Sequence, residues 1–189
     1  MSPQGNPDIA RVVSSLLGQA PPVVFFIGAG LSRTLGLPGW RDLLAGAADY
    51  GVAIGRLDGD DRTTISGLLA DGEYLRCGTY LREKLGIRLD SYLRDLFDSP
   101  LPSDLGAYEY LIRLPCLGYI TTNYDHALET AYSKHYRRPL RPLTPFDFPA
   151  LANAVRRQPF LVKLHGDSSR GQFVLTESDY EAITRNVAF

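Results

Sequence analysis

Three short stretches of this chain combine residue types that chemistry uses. Gly28-Ala-Gly-Leu-Ser32 follows the apolar run Val23–Ile27, Thr121-Thr-Asn-Tyr-Asp125 closes a run that starts at Leu117, and Lys163-Leu-His-Gly-Asp167 closes one that starts at Phe160. A glycine-rich turn between a strand and a helix lets backbone N–H groups reach a pyrophosphate, helped by the positive end of the helix. Gly28 and Gly30 fit that role, but Arg33 stands where G-x-G-x-x-G needs its third glycine, so as a dinucleotide fingerprint the turn is weak. Asn123 carries both a donor and an acceptor and suits the orientation of hydroxyls or of a water. His165 titrates near neutrality and suits a general base. Each residue also has an ordinary reading: a tight turn without a ligand, Asp125 as a helix N-cap, Asn123 bonding its own turn, His165 satisfied at a sheet edge.

The elements that must position these residues alternate between strand and helix. Ile9, Val12, Val13, Leu16 and Leu17 share one helical face, with Asp8 as cap and Gly18 as stop. Val23–Ile27 is apolar throughout, which predicts a strand in a sheet covered on both faces. A helix starts near Trp40, and helical segments fill Asp60 to Phe97, with Leu89, Leu93, Leu96 and Phe97 as one stripe stopped by Ser99-Pro100. Ser103 or Asp104 caps a helix carrying Leu105, Tyr108, Leu111 and Ile112, which Pro115 breaks. Strands follow at Leu117–Thr121 and Phe160–Leu164, with a helix from about Asp125 between them and a short fourth strand at Phe173–Leu175. The pattern is that of an α/β domain. In an open α/β sheet, ligands bind beyond the carboxyl ends of the strands, so three neighbouring strands would bring Gly-Ala-Gly, Asn123 and His165 together.

Bulk properties narrow the function class. At 189 residues, with 44% hydrophobic and 22% charged residues, the chain suits one soluble globular domain. A formal net charge of -1 argues against a dedicated nucleic-acid surface. The basic stretch Lys134 to Arg141 reads as a solvated loop, and His126 and His135 read as surface or helix residues. No signal peptide opens the sequence and no apolar run approaches the ~20 residues of a membrane span. Cys77 and Cys116 are isolated, which fits two packed thiols in a reducing cytoplasm.

The ordered motifs Gly28–Ser32, Gly36-Leu-Pro-Gly-Trp-Arg41, Thr121–Asp125 and Lys163–Asp167 resemble those of the sirtuin-like (SIR2) superfamily, in particular the SIR2-like NAD-consuming domains of bacterial anti-phage defence proteins. The resemblance runs from about Val23 to Tyr180. It implies a Rossmann-like parallel sheet flanked by helices over residues 1–189, with a helical insertion at residues 60–112. It also implies catalysis by Asn123 and His165, and an NAD site that includes Gly28, Ala29, Gly30, Ser32, Thr122, Asp125 and Gly166. The implied substrate is NAD, with no metal.

Departures from the family point to a branch of it. Deacylases carry a zinc module on two C-x-x-C pairs, which two lone cysteines do not supply. Their Gly-Ile-Pro-Asp-Phe-Arg segment reads Gly36-Leu-Pro-Gly-Trp-Arg41 here, with Gly39 in place of the aspartate. Trp40 either covers the nicotinamide, as the family's phenylalanine does, or packs in the core. A further strand ending in Gly-x-Ser is expected after Phe189, so the chain reads as the N-terminal part of a longer protein. The resemblance thus favours a cytoplasmic NAD hydrolase releasing nicotinamide and ADP-ribose as a defence effector, oligomeric and coupled to a sensor domain or partner. A protein deacylase or ADP-ribosyltransferase, and a non-catalytic NAD or ADP-ribose binding module, are the alternatives.

Overall fold

The computed structural model describes residues 23–147 and 159–186. The helix expected at residues 8–18 lies outside the described residues. The main sheet has four parallel strands: β1 (Val24–Ile27), β2 (Gly118–Thr121), β3 (Pro142–Leu143) and β4 (Phe160–Lys163), in the order β1-β2-β4-β3. Their registers pair Ile27 with Thr121 and Thr121 with Lys163, so the three strands that carry the candidate motifs are neighbours and end level with one another. This is a Rossmann-like sheet flanked by helices.

The central strands β2 and β4 are buried on both faces, as their apolar runs require. Strand β1 departs from that expectation: Val24 is 40% and Phe26 67% exposed, and as alternate residues they share one face, which is open, while Ile27 on the other face is buried. The fourth strand is also not the expected one. Gln172–Phe173 (β6) pairs antiparallel with Gly166–Asp167 (β5) in a separate ribbon, and the main sheet is completed by β3, whose Pro142 is tolerated at an edge.

Between β1 and β2 lie a one-turn helix α1 (Ala29–Ser32) and the helices α2 (Trp40–Ala53), α3 (Gly59–Ala70), α4 (Tyr74–Leu85), α5 (Ile87–Phe97) and α6 (Ala107–Leu111). Asp58 opens α3 through a capping box with Asp61, each side chain accepting from the other's backbone N–H. On α5 the residues Leu89, Leu93 and Phe97 point inward, the stripe expected from spacing, while Ile87 stays exposed. Helices α2–α5 bury a core of their own that also takes in Tyr124 and Leu175. Leu105, Tyr108 and Ile112 join the core under the sheet, with Tyr119, Leu128 and Leu161. The helix containing Tyr108 starts later than its spacing suggests: Asp104 accepts from the Gly106 N–H in a turn, and Gly106, at φ 54, precedes the first helical residue. After β2 comes α7 (Ala127–Tyr136), and after β6 comes α8 (Glu177–Asn186). None of the described helices is long and apolar enough to cross a membrane.

Candidate active site

Backbone ties lock the ends of β1, β2 and β4 together. The Thr121 hydroxyl and the Thr122 N–H both donate to the Ile27 carbonyl, at 3.0 and 3.2 Å, and the Leu164 N–H donates to Thr121 at 2.8 Å. Asn123 therefore emerges from a rigid strand end, with its own N–H on the Thr121 hydroxyl at 3.0 Å. Its side chain does more than bond its own turn. The Nδ2 group donates to Ser32 Oγ at 2.7 Å and to the Gly28 carbonyl and Tyr108 Oη at 3.2 Å each. A carbonyl oxygen only accepts, so the amide nitrogen must face Gly28 and Oδ1 must face away. Oδ1 is buried and accepts no hydrogen bond among the described residues.

Ser32 continues the chain of bonds. Its hydroxyl donates to Asp125 Oδ2 at 2.7 Å and, with its proton committed there, accepts from Asn123 and from Tyr108 Oη at 2.8 Å. Asp125 is not the N-cap of α7, which is His126; it stands one residue earlier, where Oδ1 accepts from the Ala127 N–H in a turn while Oδ2 takes Ser32. Burial, reinforced by the Asp125 charge, pushes the Tyr108 phenol well above its ordinary range, so it stays a proton donor. Sequence reasoning placed Tyr108 only on an apolar helix stripe; no local pattern announces that its hydroxyl reaches two residues far away in the chain.

Asn123, Ser32, Asp125, Ala29 and Thr122 line a narrow cavity, with Gly39 and Trp40 on its other side. Trp40 begins α2 and packs against the helical core, and it also lines the cavity. Gly28 takes part through its carbonyl. Gly28 and Gly30 have ordinary negative φ, and a Cβ added to either meets nothing within 4 Å, so neither packing nor backbone conformation demands glycine there. Helix α1 is a single turn and supplies little of the dipole expected of a long helix.

His165 and Gly166 sit outside this lining. Gly166 has φ 95, and a Cβ on it would lie 2.2 Å from the Gln172 carbonyl, so the β5–β6 ribbon requires glycine. The His165 ring packs edge-on to Trp40 at 5.7 Å between centroids and tilted to Tyr124 at 6.3 Å, and both of those residues line the cavity. Its Nε2 lies 2.8 Å from Tyr180 Oη, and its buried Nδ1 has no hydrogen-bond partner among the described residues. Burial pushes its pKa down to about 4, so the imidazole is neutral at pH 7. Tyr180, on α8, went unnoticed in the sequence because nothing local links it to residue 165.

Behind the turn lies an ionic cluster. Lys163 is completely buried, with Glu129 and Asp167 as counter-charges at 3.0 and 3.5 Å. Burial raises the Asp167 carboxyl, but Lys163, the two bonds from Ser169 and the neighbouring His126 outweigh it and hold its pKa below the ordinary range. His126, read as a surface or helix residue, is half-buried at the N-cap of α7. Its Nε2 lies 2.8 Å from Ser168 Oγ, and its hydrogen bond to Glu129 raises its pKa against the opposing effect of burial. His126, Glu129 and Asp167 place ligand-type atoms within 4.8 Å of one another, and the Lys163 ammonium stands among these carboxylates as their cation. The stretch Lys134 to Arg141, read as a solvated loop, is so only in part: Lys134–Tyr136 close α7 and Leu140 is buried, while Lys134–Pro139, His135 included, are exposed. Cys77 is buried, which pushes its thiol up to about 11, and Cys116 is partly buried and raised for the same reason, so both behave as packed groups.

Residues 118–189 match the family model for a SIR2-like domain. The chain is 30% identical over 163 residues to a protein named NAD(+) hydrolase ThsA from Cytobacillus dafuensis, an alignment that covers 85% of this chain and 30% of that protein. It is 32% identical over 160 residues to a protein of the same name from Enterococcus faecium, covering 82% and 30% respectively. The chain thus spans about 30% of the length of these curated relatives.

Proposed function

We propose that this chain, whose residues 118–189 belong to the SIR2-like family, is the catalytic part of an NAD hydrolase that releases nicotinamide and ADP-ribose. The observation that carries the reading is the buried Oδ1 of Asn123, which has no partner among the described residues and is fixed by Gly28, Ser32 and Tyr108 so that it is left to accept a hydrogen bond from a ligand. Cleavage of the nicotinamide–ribose bond proceeds through an oxocarbenium-like transition state with a good leaving group, so the enzyme must hold the ribose and order a water. Asn123 Oδ1 accepts from a ribose hydroxyl or from that water. The Ser32–Asp125 pair keeps the amide in place, and Ala29 and Thr122 form the wall around the ribose, with Gly28 and Gly30 leaving room for the phosphates.

His165 acts as the base. With Nε2–H donated to Tyr180 Oη, its neutral Nδ1 keeps a lone pair for the water proton. Trp40 and Tyr124, which pack against the His165 ring and also line the cavity, bring the histidine to the edge of the site. The overall balance is plain: the C1′–N bond breaks, nicotinamide leaves with the bonding pair, and water adds to C1′ as its proton passes to His165. The names of the relatives support NAD as the substrate. A role as a defence effector that depletes NAD, as part of an oligomer controlled by a sensor, is the biological setting we infer for it.

Incubation of the protein with NAD in ¹⁸O-labelled water tests the reading. Equal release of nicotinamide and singly labelled ADP-ribose is the expected result. NAD that is bound but never cleaved, in every assembled form of the protein, would overturn it in favour of a binding module.

A further inference from the structure

Lys163 is the last residue of β4, two residues before His165, and it stands in a motif whose other members the proposed chemistry already uses. A lysine with no exposure at all must satisfy three N–H donors inside the protein. It does so with three acceptors: the Asp125 carbonyl at 2.8 Å, the Tyr124 carbonyl at 3.0 Å and Glu129 Oε1 at 3.0 Å. The two carbonyls belong to the residues directly after Asn123, in the turn that leads to α7. Backbone bonds couple β2 to β4 only as far as Leu164, at the strand ends. Beyond that edge, the Tyr124–Asp125 turn is tied to β4 by the ammonium, and to the 3₁₀ turn after β5 by Ser168, whose Oγ and N–H lie 3.2 and 3.4 Å from the Tyr124 carbonyl.

We infer that Lys163 is the positioning residue that fixes the Asn123 turn relative to the strand carrying His165, and so sets the distance between the two groups that act on NAD. Glu129 and Asp167 make a charged tie tolerable in a buried place; the carbonyl bonds do the positioning. A hydrophobic side chain of the same length would fill the volume but release both carbonyls. The catalytic half of this inference rests on the NAD-cleaving reading given above, whereas the tie itself does not.

The protein has three lysines, Lys84, Lys134 and Lys163, which makes the test direct. In ¹⁵N-detected spectra of the wild-type protein at neutral pH, Lys163 should give a slowly exchanging ammonium signal that Lys163→Met removes. Absence of any such signal would overturn the tie. The functional test uses Lys163→Met combined with Glu129→Gln, so that of the two buried carboxylates facing the ammonium only Asp167, which keeps its bonds from Ser169 and His126 at 3.9 Å, loses a partner charge, with Glu129→Gln alone as control. Hydrogen exchange at the amides of 123–127 should accelerate at least ~10-fold in the double variant while the β4 amides stay protected. Its kcat should fall about 10²-fold, the scale of a misplacement of about 1 Å, with KM for NAD unchanged within about threefold. Glu129→Gln alone should keep near-native turnover. A double variant with native kcat and native exchange would reduce Lys163 to charge balance. If the wild-type protein releases no nicotinamide, the functional reading fails, and the ammonium signal and exchange rates still judge the tie.

Discussion

Replacing Asn123 by aspartate is nearly isosteric and tests the orientation of the amide without opening a cavity. In the wild-type protein Nδ2 gives two hydrogens to three acceptors, and one of these, the Gly28 carbonyl, has no hydrogen to return. After Asn123→Asp an oxygen faces that carbonyl. The protons nearest to it among the described residues are those of Ser32, whose Oγ already donates to Asp125 Oδ2 at 2.7 Å, and of Tyr108. Leaving a buried acceptor unsatisfied costs about 1–3 kcal/mol, and more when it is charged, so we expect a loss of about 2–3 kcal/mol at neutral pH. For a chain of this size that corresponds to a drop in Tm of about 4–12 °C. The new carboxyl is buried beside Asp125, so its folded pKa rises above the ordinary value of about 3.9. The folded variant then holds its proton better than the unfolded one, and stability falls as pH rises through that window. Thermal unfolding followed by circular dichroism at pH 5 and pH 8, for wild type and variant, should show the larger deficit at pH 8. A deficit below one degree, or one that is the same at both pH values, would refute the orientation assigned to Asn123.

Three other outcomes follow from the same structure. Tyr108→Phe removes the hydroxyl shared by Ser32 and Asn123; it should cost about 1–2 kcal/mol in chemical denaturation and slow NAD cleavage with little change in KM. For His126 the folded pKa lies above its ordinary value of about 6.5, so its contribution to stability is fully present below that pH and is lost as pH rises through the folded value; His126→Gln should lower Tm at pH 5.5 and leave it unchanged at pH 9. In Gly78→Ala the new Cβ would lie 2.3 Å from the Leu175 carbonyl, so backbone must shift, Tm should fall by about 2–12 °C, and the β6–α8 connection should exchange its amides faster.

Where a pattern repeats locally, it was legible. The stripe on α5, the apolar strands β2 and β4, and the strand-to-turn endings that carry Asn123 and His165 all follow from spacing and residue type. Parallel pairing of β1, β2 and β4 then brought Gly28, Asn123 and Lys163 to one edge. What escaped has no local signature. A two-residue strand such as β3 is too short for any period, and the exposure of Phe26 depends on which face of β1 is covered and not on composition. Tyr108 and Tyr180 reach Asn123 and His165 across the fold through single hydroxyl groups, which an apolar-face reading discards. That Gly166 must be glycine for the β5–β6 ribbon, with its φ of 95, follows from its pairing with Phe173, which the motif does not announce.

The central claim is that Asn123 and His165 act in one transition state of NAD cleavage. A double-mutant cycle on nicotinamide release, run at saturating NAD in the active assembled form with NAD binding and circular dichroism as controls, tests it most directly. Asn123→Ala and His165→Ala should each slow release by at least ~10²-fold, and the double variant should lose little more. His165→Ala with near-native turnover, or losses that simply multiply in the double variant, would contradict the account.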